Sequence, residues 1–140
     1  MPSSDLRQYD FSNYKVLVID DNDDSLVLLV EIFKHCGADV IAAHDTFEAR
    51  GVLERVWPDI IVTDINLPRE TGLEFAEWVH AHHPDRARST PIIAITATSP
   101  IVRITRPPVI DALIVHKPIV LEEVCQLVET LLRERRSGDR

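Results

Sequence analysis

Five residues of this 140-residue chain are of types that work on phosphate: the adjacent Asp20 and Asp21, then Asp64, Thr96 and Lys117. Each follows a short apolar run, VLVI before Asp20, IIVT before Asp64, IIAI before Thr96 and ALIVH before Lys117. Three carboxylates brought together repel one another, and a hard divalent cation relieves that repulsion. Mg²⁺ favours one or two carboxylates with carbonyl and water oxygens, and it brings phosphate oxygens with it. A threonine hydroxyl can donate to one phosphoryl oxygen, and a lysine ammonium can neutralise another. The chemistry this set allows is phosphoryl transfer onto a carboxylate. Asp64 stands alone at its strand end and is the candidate nucleophile, while Asp20 and Asp21 form a pair suited to the metal. The protein would position an in-line attack, with the metal, Thr96 and Lys117 stabilising the equatorial oxygens. Taken singly, each residue has a plainer account as a helix cap, a strand-end hydroxyl or a solvated charge. Asp23 or Asp24 is expected to be such a cap. The joint arrangement at successive strand ends is what points to chemistry.

The elements that must hold these residues alternate in type. Residues 14–20 form a β-branched run too short for a helix, which reads as a buried strand. Leu26, Leu29, Val30 and Phe33 then recur at helical spacing, closed by Gly37. Residues 39–43 are a second strand. Asp45 or Thr46 caps a helix carrying Ala49, Val52, Leu53 and Val56, and Pro58 stops it. The pattern repeats with a strand over 59–64, a helix over 72–83, a strand over 91–96 and another over 112–115. The last helix puts Leu121, Val124, Cys125, Val128, Leu131 and Leu132 on one stripe, and Arg133, Arg135 and Arg136 at its negative pole. This alternation predicts an α/β fold, a doubly wound, five-stranded parallel sheet with helices on both faces and right-handed crossovers. Ligands of such sheets bind outside the carboxyl ends of the strands, where the strand order reverses. Residues 1–13 read as a loosely ordered N-terminal lead, 14–133 as the single domain and 134–140 as a tail.

One stretch breaks the rhythm. Residues 99–111 should carry the fourth helix, yet they include Pro100, Pro107 and Pro108. Adjacent prolines remove two backbone donors, so the fourth helix is expected to be shortened or broken. At most a helical turn over 101–105 followed by an extended segment is predicted.

Composition narrows the function classes. Hydrophobic residues at 45% and charged residues at 27% are ordinary globular usage, which excludes disordered and fibrous chains. No apolar run approaches ~18 residues and the polar start lacks an apolar signal core, so no membrane association is expected and a cytoplasmic location is. Two cysteines, Cys36 and Cys125, lie on apolar helical stripes and read as small core residues of a reducing compartment. With 15 basic against 23 acidic residues, a formal charge of −8, the chain repels nucleic acid backbones, and no nucleic acid partner is expected. Lysines are scarce, three against twelve arginines, which singles out Lys117.

Together the segments VLVIDDNDDS, DIIVTDINLPRETGLEF, PIIAITA and HKPI resemble the receiver domains of two-component response regulators, with the chemotaxis-type single-domain regulator as prototype. The resemblance covers roughly residues 14–132. It implies the flavodoxin-like strand order 2-1-3-4-5. It implies Asp64 as phosphoacceptor, Asp21 on Mg²⁺ directly, Asp20 largely through water, and the Asn66 carbonyl completing the metal sphere. Thr96 and Lys117 match the family's hydroxyl and lysine, and the Lys117–Pro118 bond is typically cis there. Asn66 and Thr98 occupy the positions that tune acyl-phosphate lifetime. The partners implied are a histidine kinase or histidine phosphotransfer protein and a downstream protein target, in a two-component or phosphorelay pathway, with a homodimer also in the family's repertoire. Such a protein is a phosphoacceptor rather than an enzyme with a separate substrate, although its pocket promotes its own phosphorylation and slow dephosphorylation. With no output domain read after the receiver, action through protein contacts is expected.

The departures bear on readout. Ile114 stands where the family places a Tyr or Phe, the usual Gly-Ala upstream is absent, and the fourth helix is interrupted. A phosphorylation-independent interaction module is therefore the alternative. Two other motifs are near misses. Asp20-x-Asn22-x-Asp24 with Glu31 approaches a calcium loop, but Ser25 replaces the turn glycine and a strand precedes it. Asp21-x-Asp23 brushes the haloacid dehalogenase pattern, which needs a second acidic cluster after a late strand. His80, His82 and His83 read as a solvated helix end, Arg103 and Arg106 as solvated charges, and Trp57 and Trp78 as partly buried packing residues.

Overall fold

The computed structural model of the protein describes residues 9–96, 102–104, 112–116 and 121–138. Its elements run β1 (Lys15–Ile19), α1 (Asp23–His35), β2 (Asp39–Ala43), α2 (Thr46–Arg55), β3 (Ile60–Asp64), α3 (Gly72–His82), α4 (Pro84–Ala87), β4 (Ile92–Thr96), β5 (Val102–Ile104), β6 (Ala112–His116) and α5 (Leu121–Gly138). The strands form one sheet in the order β2-β1-β3-β4-β6-β5. The first four follow the expected order and pair in parallel. β6 continues the parallel set beside β4, and β5 closes the edge antiparallel to β6.

Strand pleating sorts the side chains into two layers. Val16, Val18, Ile60, Val62, Ile93 and Ile95 face α1 and α5, where they meet Leu29, Phe33, Val124 and Val128. Leu17, Ile19, Ile61 and Ile92 face the other way, onto Val52 and Leu53 of α2 and Phe75 and Val79 of α3. All five residues of β3 are buried, the mark of a central parallel strand covered on both faces. Burying each large aliphatic or aromatic side chain in these layers contributes about 1.5–3 kcal/mol.

Helix ends are set by specific residues. Asn22, not Asp23 or Asp24, caps α1: its side chain accepts from the Ser25 N–H at 2.9 Å. Asp45 caps α2 in the same way, accepting from Glu48 N–H at 2.8 Å. Thr71 and Glu74 form a reciprocal capping box at α3. Gly37 ends α1 with φ 91°, a left-handed conformation that glycine adopts without a Cβ penalty.

Further expectations are corrected. The sheet is not five-stranded, because 102–104 form an edge strand instead of a helical turn. The β-branched residues Val102, Ile104 and Thr105 favour extended backbone, and prolines on both sides deny a helix its donors. Of the lead, residues 9–13 are described, and these are held: Tyr9 and Phe11 are buried in the α1/α5 layer, Phe11 packs 6.4 Å from the Phe33 ring, and its N–H donates to Cys36 O at 2.8 Å. His80 is buried rather than solvated, with Nδ1 3.0 Å from Ala76 O. At the other end α5 runs to Gly138, into the segment read as a tail. Cys36 and Cys125 are buried core thiols, not joined in a disulfide, whose sulfurs lie 4.0 Å apart. Burial pushes both thiols up, Cys125 to about 12.

Candidate functional site

The strand order reverses between β1 and β3, which grow outward in opposite directions from the centre of the sheet. Ile19 of β1 pairs with Thr63 of β3. The next residues along each strand are Asp20 and Asp64, so sheet register alone makes neighbours of two aspartates 44 positions apart. Asp20 is 1% exposed and Asp64 is 6% exposed, while Asp21 is open to solvent.

Backbone amides hold the two buried carboxylates. Asn22 N–H donates to Asp20 Oδ1 at 2.9 Å, and Asn66 N–H donates to Asp64 Oδ1 at 3.3 Å. The Asp20 N–H is tied to Ala43 O at the end of β2, at 3.1 Å. Asp20, Asp21 and Asp64 each offer one carboxylate oxygen such that all three lie within 4.8 Å of one another. An all-oxygen, all-anionic donor set with two members withdrawn from water fits a hard divalent cation.

Thr96 is the last residue of β4. Asp64 pairs with Ile95, so Thr96 falls one position beyond it on the adjacent strand, at the same edge. Thr96 pairs in turn with His116, the last residue of β6, and Lys117 is the next residue along the chain. Lys117, Thr98 and the Lys117–Pro118 bond lie outside the described residues. Ile114 sits mid-strand in β6, paired with Ala94 on one side and Val102 on the other.

The loop from β3 to α3 completes the site, and three of its controls were not anticipated. The first is Gly72: a Cβ there would overlap the Asp64 carbonyl oxygen, so only glycine lets α3 start against the strand end. Its N–H reaches back to Ile65 O at 2.9 Å and closes the loop. The second is Leu67, 8% exposed, which anchors the loop in the α2/α3 layer. The third is an ion pair between Arg50 of α2 and Glu70, at 2.7 Å. The segment Thr71-Gly72-x-Glu74 did announce the capping box in the sequence. The Arg50–Glu70 pair, twenty positions apart, carries no local signal. On the opposite side of the site, His44 bridges Asp23 at 3.4 Å and Glu48 at 3.3 Å, tying the end of β2 to the first turn of α1.

The pattern of the response regulator receiver domain matches residues 16–129, spanning β1 through most of α5. The chain belongs to that family. This receiver domain is 32% identical over 82 residues to the polar-differentiation response regulator DivK of Brucella anthropi, covering 59% of this chain and 65% of DivK. It is 32% identical over 127 residues to the response regulator protein PilR of Pseudomonas aeruginosa, covering 89% of this chain and 27% of PilR. It therefore spans less than two-thirds of the length of either relative. Among solved structures, chemotaxis protein CheY4 of Vibrio cholerae superposes with a TM-score of 0.72 at 24% identity, covering 85% of this chain and 98% of that one. A CheY-like receiver domain from Methanospirillum hungatei gives 0.74 at 20% identity, covering 89% and 98%. These likenesses establish the flavodoxin-like α/β fold. No helix among the described residues is long and apolar enough to cross a membrane.

Proposed function

We propose that this receiver domain takes a phosphoryl group onto Asp64 from a phosphohistidine of a kinase or phosphotransfer partner, with Mg²⁺ at the acidic cluster. The observation that carries this reading is the convergence of Asp20, Asp21 and Asp64 within 4.8 Å at the sheet's switch point. Asp20, Asp21, Asp64 and the Asn66 carbonyl would hold the ion. When bound, Mg²⁺ neutralises charge on the phosphoryl oxygens.

Asp64 is the nucleophile. One carboxylate oxygen forms the new O–P bond as the N–P bond of the donor breaks, and that bonding pair returns to the imidazole nitrogen. In this reading Thr96 would donate its hydroxyl to one phosphoryl oxygen, and the Lys117 ammonium would neutralise another. The Asn66 N–H, already directed at Asp64 Oδ1, steadies the oxygen that does not attack. The product is an acyl phosphate whose hydrolysis the same pocket promotes slowly, so the protein is a phosphoacceptor in two-component signalling or a phosphorelay. The reading places it in the cytoplasm, acting through a downstream protein target rather than on nucleic acid or a membrane.

A second reading has one observation in its favour. Edge strand β5 occupies the place of the fourth helix, and Ile114 lies on its neighbour, where the family's signalling residue stands. A module that binds partners without being phosphorylated fits that alteration. Incubation with Mg²⁺ and phosphoramidate, read by intact mass, separates the two. A Mg²⁺-dependent phosphoryl increment that Asp64→Asn abolishes supports phosphotransfer. No increment, with Mg²⁺ binding established by titration, favours the interaction module. Uptake persisting in Asp64→Asn overturns the nucleophile assignment.

A further inference from the structure

The loop that carries Asn66 is also restrained from α2. Arg50 Nη2 lies 2.7 Å from both Oε1 and Oε2 of Glu70, gripping the whole carboxylate head. The guanidinium is backed by an aromatic wall, its carbon 4.8 Å from the centre of the Trp78 ring. Trp78 is itself wedged, stacked 4.6 Å from His82 and 6.0 Å from Phe75. A flat cation held between a ring and a carboxylate has little freedom left. Among the described residues its Nε is buried with no hydrogen-bond partner, and the head is set by its contacts with Glu70 and the Trp78 ring.

The grip falls where the loop most needs it. Arg69, next to Glu70, has φ 73°, a left-handed conformation that a non-glycine residue keeps only where its surroundings impose it. Leu67 anchors the loop in the core and Gly72 N–H fastens it to Ile65 O, but 68–70 project between those two points. Among the described residues, Glu70 N–H bonds back to Pro68 O within the loop, at 2.8 Å. The Glu70 side chain supplies the tie to α2.

We propose that Arg50 is a positioning residue for the metal site, acting through Glu70 to fix the loop that presents the Asn66 carbonyl. This rests on the receiver reading above. Neither residue touches metal or phosphate. Their effect passes through the loop conformation, as outer partners that orient first ligands are known to act.

The test uses the full chain as Arg50→Leu, Glu70→Gln and the double variant. Three quantities are measured: the Mg²⁺ dissociation constant of unphosphorylated protein by calorimetry, the rate of phosphoryl uptake from phosphoramidate, and the unfolding midpoint. Both single variants are expected to bind Mg²⁺ about tenfold more weakly while remaining folded. The double variant should be no weaker than either single, because the two changes break one connection. Arg50→Lys, which keeps the charge but not the flat stacking head, should recover part of the loss. Should Arg50→Leu fail to fold, Glu70→Gln carries the same expectation with almost no change of shape. A lowered midpoint with Mg²⁺ affinity unchanged in both singles makes the pair a plain structural tie and overturns the proposal. No Mg²⁺ binding by the wild type overturns the receiver reading, and the positioning role falls with it.

Discussion

The half of the sheet built from β2, β1 and β3 and the half built from β4, β6 and β5 begin with the same grammar and finish differently. In the first half each strand is followed by a helix of ten residues or more that returns over the sheet. In the second, β4 is followed by a three-residue strand paired antiparallel at the edge. An edge strand satisfies its backbone on one side only, and so tolerates flanking prolines that a helix cannot. The first half gathers three carboxylates at one point, and the second offers the partner strands that end in Thr96 and His116. The acidic cluster and the proline-flanked edge are therefore built on regions under different constraints. The acidic site depends on register between central strands, while the far edge is free to change its elements.

The sharpest way to break the first half is Gly72→Ala. The added methyl would overlap the Asp64 carbonyl oxygen and approach Thr63 Oγ1 to 3.1 Å, and a backbone oxygen at the end of a central strand has little room to yield. Overpacking of this kind costs about 1–3 kcal/mol. The shift would fall on the residue that carries the candidate nucleophile, so phosphoryl uptake should drop much further than stability. Chemical denaturation and intact-mass kinetics on one sample check both. Uptake that merely tracks the folded fraction would mean that the loop adapts without moving Asp64.

How the sequence foreshadowed this division has a physical reason. Asp20, Asp21 and Asp64 were readable because a strand end is a fixed address: once the runs before them are recognised, topology brings the ends together. Thr96 was readable on the same ground. β5 was not, since prolines say what a segment cannot be and leave open whether its extended residues will find a strand to pair with. Tyr9 and Phe11 gave no warning either, because single aromatics in an irregular lead have no period to detect. His80 did carry a signal. With Gly72, Phe75, Ala76 and Val79 it completes a buried helical stripe, which outweighs its place near the helix end. The Arg50–Glu70 contact joins a helix to a loop and depends on tertiary placement alone.

A second test separates the helical layers rather than the sheet halves. Cys125 lies in the α1/α5 layer, and burial holds its pKa at about 12 against an ordinary 9.0, with Cys36 and Glu122 adding to the rise. A group whose pKa is raised on folding stabilises the fold fully below its unfolded pKa, and that contribution is lost as pH climbs through the folded value. Stability should therefore fall between about pH 9 and about pH 12, by at most about 1.4 kcal/mol per pH unit for this thiol. Urea unfolding across that range, repeated on Cys125→Ala, isolates the slope. An identical slope in the variant would assign the loss to other groups. Below pH 9 neither protein should show the effect.

The finest comparison sets two helix caps against each other. Asn22 and Asp45 each accept from a backbone N–H in the first turn of their helix, at 2.9 and 2.8 Å. Replacing either by alanine should cost about 1 kcal/mol, since one amide donor loses its partner in both cases. Their surroundings differ in one respect. The Asn22 N–H also donates to Asp20 Oδ1, so the extended turn that its side chain stabilises is the turn that aims a buried carboxylate into the acidic cluster. Asp45 caps a helix whose start has no such duty among the described contacts. Asn22→Ala should therefore weaken Mg²⁺ binding by a small factor on top of its stability loss, and Asp45→Ala should lose stability alone. Equal Mg²⁺ affinity in the two variants would show that the end of β1, tied to Ala43 through the Asp20 amide, orients Asp20 without help from the helix cap.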